Sequence, residues 1–233
     1  MPQNPAPTPA ATPAATLDAL LHARHSCRAF RPDPLPDDVI AAIVTTASRV
    51  PSWCNAQPWQ VIVTRAPETD RFRDALYAAA TSTAPQPDLE WPRQYTGVYR
   101  DRRRTCGFQL YDSLGIPKED RAATQTQMLE NYRLFGAPHV AIVTTEADLG
   151  PYGAMDTGGF VALFTLAAEA RGIASIPQAA VAAQAPFLRD WFAIPAHRHI
   201  LCAISFGLED TTHPANAFRT DRAPLSEVLD MRG

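Results

Sequence analysis

Several common signatures are missing from this 233-residue chain, and each absence narrows the field. No apolar run is long enough to cross a bilayer, so no membrane partner is expected. Neither sign of charge dominates. A net charge of −3 and a pI near 6.1 give no pull towards nucleic acid or an anionic surface. The four cysteines, Cys27, Cys54, Cys106 and Cys202, form no C-x-x-C pair, and no basic-then-apolar export signal accompanies them. Reduced thiols in a cytoplasm are therefore expected. No G-x-G-x-x-G follows a strand-like run and no P-loop occurs, which argues against a separate dinucleotide-binding domain. There is no internal repeat. What remains is an ordinary globular composition, 46% hydrophobic and 19% charged, on a chain long enough to bury a real core.

Residues 1–16, MPQNPAPTPAATPAAT, carry no charged side chain. Repeated proline opposes a helix and little there can offset ordering entropy, so they are expected to form a disordered arm. A single domain is expected over 17–233. A short helix is read from Leu17 to Ala23, and another in PLPDDVIAAIVTTASRV, where apolar residues recur at helical spacing behind Asp37 and Asp38. QVIVT, PHVAIVTT and HILCAISFG read as three buried strands. Helices are expected over 68–80, from Gln94 to about Leu114, from Pro117 to Leu134, and around Pro186 to Phe192. The helix within AMDTGGFVALFTLAAEARG is apolar on nearly every side, which calls for burial in a core or against a partner subunit. Strands separated by long helical segments argue for a central sheet with helices on both faces.

RHSCRAF, residues 24–30, packs a histidine, a serine, a cysteine and two arginines into seven positions. It suits a nucleophile with its base, a metal site or an anion cradle. The nucleophile reading is weak, because His25 and Ser26 are adjacent and no G-x-S-x-G elbow surrounds the serine. A metal reading rests on His197 and His199, which alternate along a strand but have no third ligand at sensible spacing. The basic run YRDRRR, residues 99–104, reads either as a solvated helix face or as a receiver for a phosphorylated ligand. The anion reading gains from FRTDR, which sets Arg219 and Arg222 in the tail against Arg24 and Arg28 near the start. Guanidiniums grip phosphate oxygens in bidentate fashion, and a serine hydroxyl completes such a site. Two pairs far apart in sequence do not by themselves establish it.

RHSCRAF followed by VPSWCNAQPWQVIVT resembles the opening of the bacterial FMN-dependent nitroreductase family. The family pattern, R-[RH]-S-x-[RK]-x-F and then P-S-x-x-N-x-Q-P-W, is met by Arg24, His25, Ser26, Arg28 and Phe30, and by Pro51, Ser52, Asn55, Gln57, Pro58 and Trp59. The likeness extends through GAPHVAIVTT and EARGI to SFGLEDTTHPANAFRTDRAPL. The stretches PRQY, LGPYG and HPANAFRTDRAPL look most like the nitrobenzoate and nitroaromatic reductase subgroup.

The resemblance implies an α+β fold, a three-layer α/β/α sandwich with a mostly antiparallel sheet, in an intertwined homodimer that binds FMN at its interface. Residues 81–116 would be a helical excursion over the active site and 208–233 a tail wrapping the dimer. Arg24 and Ser26, beside His25, would hold the flavin phosphate with Arg219 and Arg222. Arg28 would approach the pyrimidine end and stabilise negative charge there. Pro51, Ser52 and Trp53 would pack on the flavin from the other subunit, with Asn55 bracing their loop. The turn IPQAA, with Pro177, would present the backbone amides of Gln178 and Ala179 to flavin N5, although many relatives carry a glutamate and a glycine there. No metal and no protein catalytic triad are implied. The implied activity is ping-pong transfer of hydride from NADPH or NADH, through the flavin, to a nitroaromatic acceptor, giving nitroso and hydroxylamine products. Quinone or enone reduction, dehalogenation, flavin breakdown, and a non-catalytic flavin-binding or sensing role are the alternatives.

Overall fold

In the computed structural model, which describes residues 12–233, four strands form one sheet. They are β1 (Gln60–Val63), β2 (His139–Glu146), β3 (Ala174–Gln178) and β4 (Arg198–Gly207), in the order β1-β2-β4-β3, with every neighbouring pair antiparallel. Eight α-helices surround it: α1 (Pro13–Ala23), α2 (Asp37–Ala47), α3 (Glu68–Ser82), α4 (Gly97–Ser113), α5 (Arg121–Leu129), α6 (Gly150–Glu169), α7 (Ala179–Ala182) and α8 (Ala185–Phe192).

β2 and β4 are central because both of their faces are apolar. Ala141 and Val143 point to one side, with Cys202, Ile204 and Phe206, and pack against α2 and α6. Val140 and Ile142 point to the other, with Ile200 and Ala203, and pack against α3 and α8. Strict alternation would put Ile200 with Cys202. A bulge at Leu201, where the register steps between Val143 and Thr144, returns Ile200 to the α3/α8 side. Helices on both faces make the expected three layers. Each fully buried phenylalanine here, such as Phe72, Phe160 or Phe164, contributes roughly 1.5–3 kcal/mol.

Two expectations need correction. IPQAA is not a turn: Ile176–Gln178 complete a fourth strand, β3, which runs straight into α7. Pro177 is tolerated within it because β3 is the edge of the sheet, where a missing N–H need cost no ladder bond. α1 begins at Pro13 rather than Leu17. Thr12 caps it, its hydroxyl accepting from the Ala15 N–H, and the proline occupies the first turn, where its absent N–H is harmless. The remainder of the expected arm, residues 1–11, lies outside the described residues. Within this one chain α6 is buried along one side, by Phe160, Phe164, Ala167 and Ala168, while Val161 and Leu163 are half-buried, which leaves the second of the two expected modes of burial, against a partner subunit, open to its other side.

α4 follows the proline-broken 81–92 segment and has no buried residue, and neither does α5. Among the described residues no helix is long and apolar enough to cross a membrane.

Candidate functional site

The RHSCRAF segment extends the sheet at its β3 edge. Ser26 bridges in parallel to Ser175, and the Cys27 N–H donates to the Ser175 carbonyl at 3.2 Å. Farther along, Phe30 pairs with Glu209, and the Arg31 N–H reaches the Leu208 carbonyl at 2.8 Å. The segment is thus fixed to β3 on one side and to the end of β4 on the other. Along it Cys27, Ala29 and Phe30 are buried, while Arg24, Ser26 and Arg28 are half-buried.

Those three residues line a cavity of about 750 Å³ with His25, Arg219 and Arg222. The volume is of the order of a small-molecule site. Four guanidiniums line it and no carboxylate does. Their hydrogen bonds run to main-chain oxygens and one hydroxyl. Arg28 Nη1 donates to the Ser26 carbonyl, Arg219 Nη1 to those of Asn216 and Phe218, and Arg222 Nη1 to Thr220 and Asp221. Among the described residues, the Nε and Nη2 groups of all three have no protein acceptor. Like charges gathered without a counterion are repulsive unless an anion completes them, so the donor set fits a phosphate. Burial pulls the Arg28 pKa below the ordinary guanidinium value, since its charge stands in poorly solvated surroundings.

Ser26 and Arg28 also border an adjoining hollow of about 270 Å³. Its other walls are Pro177, Gln178 and Ala179 from the β3–α7 junction, with Leu110 and Tyr111 of α4 and Met128 of α5. The excursion therefore stands over the edge strand. Gln178 does not send its side chain into this hollow freely. It is buried, donating to the Asn131 carbonyl at 2.9 Å and accepting from Ser205 Oγ at 2.5 Å. A third, largely apolar groove of about 610 Å³ runs along the open side of α6 and is bordered by Arg24, Pro51 and Pro177.

The sequence-derived residues thus fall into groups. Arg24, His25, Ser26, Arg28, Arg219 and Arg222 share the basic cavity. Pro177, Gln178 and Ala179 meet Ser26 and Arg28 next door, and Pro51 lies in the groove. Ser52, Trp53 and Asn55 line none of the three. Ser52 Oγ accepts from the Gln57 N–H, and the Trp53 N–H donates to Asp156 at 2.9 Å. Asn55 serves the loop through its backbone, at a φ of 57° that asparagine tolerates better than most residues. His25 lines the cavity, but both ring nitrogens are engaged, Nδ1 with the Ala23 carbonyl and Nε2 with Glu209 at 3.0 Å. Buried Arg198 ties the end of this loop to the sheet, donating to the carbonyls of Pro58 and Thr144.

Cys27 is fully buried, and desolvation pushes its pKa up to about 12, so the thiol beside the arginines is no nucleophile. His197 precedes β4 and His199 is its second residue, and among the described residues no group of three or more His, Cys, Asp or Glu side chains is placed to hold a metal ion.

Several participants escaped the sequence reading. Glu209 orients His25, Asp156 holds the Trp53 loop, Phe218 lies beneath Arg28, and Asn216 joins the tail to the RHSCRAF backbone. Glu209 and Asn216 lie in SFGLEDTTHPANAFR, and nothing in the local sequence marks either as buried or as a partner of RHSCRAF.

The sequence model of the nitroreductase family matches residues 21–208. Nitroreductase NfnB of Mycolicibacterium smegmatis is 35% identical over 212 residues, which is 91% of this chain and 90% of that protein. A 4-nitrobenzoate reductase of Nocardioides is 30% identical over 213 residues, covering 89% and 86% of the two. The crystal structure of the FMN-dependent NfnB from Mycobacterium smegmatis in complex with NADPH superposes with a TM-score of 0.90 at 34% identity, over 94% of this chain and 99% of that one.

Proposed function

The chain belongs to the nitroreductase family, and from that premise we propose that it binds FMN and uses NADPH to reduce nitroaromatic compounds. One observation carries the reading: both chain ends deliver arginines into a single cavity that no carboxylate lines, beside the C-terminal end of β3. Arg24, Ser26, Arg219 and Arg222 hold the flavin phosphate. Arg28 reaches the pyrimidine end of the ring system from between the two hollows. The main chain at Gln178 and Ala179, fixed by the buried Gln178 side chain, supports the other edge. When bound, FMN supplies the redox chemistry, accepting two electrons from NADPH and passing them to the nitro group in a separate half-reaction.

The protein's part is to bind, orient and stabilise charge. Arg28 holds a fixed positive charge where negative charge accumulates, in a place where burial weakens screening. Donor and acceptor take turns at one open face, which is why no second nucleotide-binding motif is needed. The 81–116 excursion, through Leu110 and Tyr111, shapes that face.

The functional unit is a homodimer. The apolar groove along α6, with exposed Trp53, Tyr152 and Met155 nearby in sequence or contact, is a surface that a second copy would cover. Pro51, Ser52, Trp53 and Asn55 then serve the partner's flavin. Leu225, Val228, Leu229 and Met231, all exposed on the 208–233 tail, wrap that copy. Four unpaired cysteines suit a reducing cytoplasm.

The test is a visible absorption spectrum of the purified protein, repeated anaerobically with NADPH and then with a nitroarene. A flavin band that bleaches with NADPH and returns with the nitroarene is expected. A band that bleaches once and is not restored by the nitroarene would mark a storage or sensing protein, or an enzyme for quinones, enones or halogenated substrates. A protein that stays colourless with added FMN would end the reading.

A further inference from the structure

Asn216 is the last buried residue of the chain. Everything beyond it, including Arg219 and Arg222, is exposed or half-exposed tail. Its carboxamide is spent entirely on the other half of the basic cavity and the strand end beside it. Oδ1 accepts from the Arg28 N–H at 2.7 Å, and Nδ2 donates to the carbonyls of Ala29 and Asp210, both at 3.0 Å. Its own carbonyl accepts from Arg219 Nη1 at 2.7 Å. One residue therefore joins the backbone of the first arginine pair to the side chain of the second.

Phe218 lies against the Arg28 guanidinium, 5.5 Å from the ring centroid, and little else holds the tail arginines in place. Upstream, the Asp210 N–H donates to the Ala29 carbonyl. Downstream, Glu227 pairs with Arg102 of α4 at 2.5 Å, but both side chains are nearly half exposed, and such pairs hold weakly. Bidentate contact with a phosphate demands that Arg219 and Arg222 keep one separation from Arg24 and Ser26, which lie on the segment that Asn216 grips at the Arg28 N–H, and errors of about an ångström are costly.

We propose that Asn216 is the positioning residue that makes this cavity select a phosphorylated flavin over the same flavin without its phosphate. The proposal rests on the flavin reading above. Losing the Asn216 amide lets Arg219 and Arg222 drift away from Arg24 and Ser26. The hollow between Arg28 and Pro177 loses only the acceptor of the Arg28 N–H: its other walls come from β3, α4, α5 and α7, and Arg28 stays held by the Ser26 carbonyl and by the Cys27 N–H bond to β3, so it keeps its shape. Phosphate affinity is lost while affinity for the ring system is kept.

Dissociation constants for FMN and riboflavin, measured by flavin fluorescence quenching on apoprotein, test this for wild type and Asn216→Ala, with thermal unfolding of each. Wild type should prefer FMN. In the variant, FMN affinity should fall by roughly tenfold or more, the worth of a charge-assisted contact, while riboflavin affinity stays within about twofold. Equal weakening of both flavins would make Asn216 merely structural and overturn the proposal, and so would an unchanged preference. If Asn216→Ala does not fold, Asn216→Ser, which keeps a polar group at this point, is read by the same ratio. Wild type that binds both flavins equally overturns the phosphate selection itself. Wild type that binds neither removes the flavin reading.

Discussion

The guanidinium of Arg28 lies over the ring of Phe218, 5.5 Å from its centroid, so the tail supplies a floor for the one cation that borders both hollows. The ring steers the cation without neutralising it, as a carboxylate would. Arg28→Met should lower kcat/KM for a nitroarene by roughly 100-fold, the usual loss when a fixed charge-stabilising donor is removed. Phe218→Leu should lower it only about threefold, in line with a partly exposed cation–π contact. Steady-state NADPH oxidation measures both. Equal losses would mean that Phe218 does more than steady the arginine.

Thiol chemistry provides an independent check on the RHSCRAF geometry. Cys27 and Cys202 are buried, and desolvation pushes both thiols up to about 12, whereas Cys54 is exposed. Iodoacetamide at pH 8 should alkylate Cys54 in the native protein, spare Cys27 and Cys202, and reach all four thiols only after unfolding. Peptide mass spectrometry reads the pattern. Rapid native labelling of Cys27 would contradict the parallel bridge that buries it.

Which features were legible in the sequence follows from how local their physics is. The strands β1, β2 and β4 announce themselves through short, largely apolar runs that include β-branched residues, and α2 through its spacing. β3 does not. ASIPQ is short, contains a proline and reads as a turn, and only its position at the sheet edge, a tertiary fact, lets Pro177 sit in a strand. The arginines at 24, 28, 219 and 222 could be paired by residue type, but their convergence depends on Asn216 and Glu209, whose partners lie more than 180 residues away. Such contacts leave no periodic trace. The early start of α1 at Pro13 turns on a single cap, since a proline that stops a helix in its interior favours it in the first turn.

The basic run on α4 is partly accounted for within the chain. Arg102 pairs with Glu227 and Arg100 with Asp101, while Arg103 and Arg104 lie over Tyr95 and Phe108. Neutralising Arg100, Arg102, Arg103 and Arg104 together to glutamine should raise KM for NADPH by about tenfold and leave that for NADH unchanged, if they meet the 2′-phosphate. An equal rise for both dinucleotides would assign the run to a solvated helix face.

His139 makes stability depend on pH from a position far from the chemistry. It is buried on β2, its Nε2 accepting from the Leu35 N–H at 2.8 Å and its Nδ1 facing the Thr64 carbonyl at 3.1 Å. That arrangement needs the neutral ring, with the proton on Nδ1. Burial lowers its pKa from the ordinary 6.5, the Thr64 carbonyl and Asp37 push the other way, and Arg65 adds to the lowering. Below about 6.5 the unfolded chain takes up a proton that the folded chain refuses. The stabilisation is therefore complete above that pH and is lost as pH falls towards the depressed folded value, with a slope of at most about 1.4 kcal/mol per pH unit for this one proton. His139→Gln keeps an acceptor and a donor but cannot titrate. Urea unfolding at pH 7.5 and 5.5 should show wild type losing more stability between the two than the variant does. Identical losses would mean that the proton is taken up elsewhere in the fold.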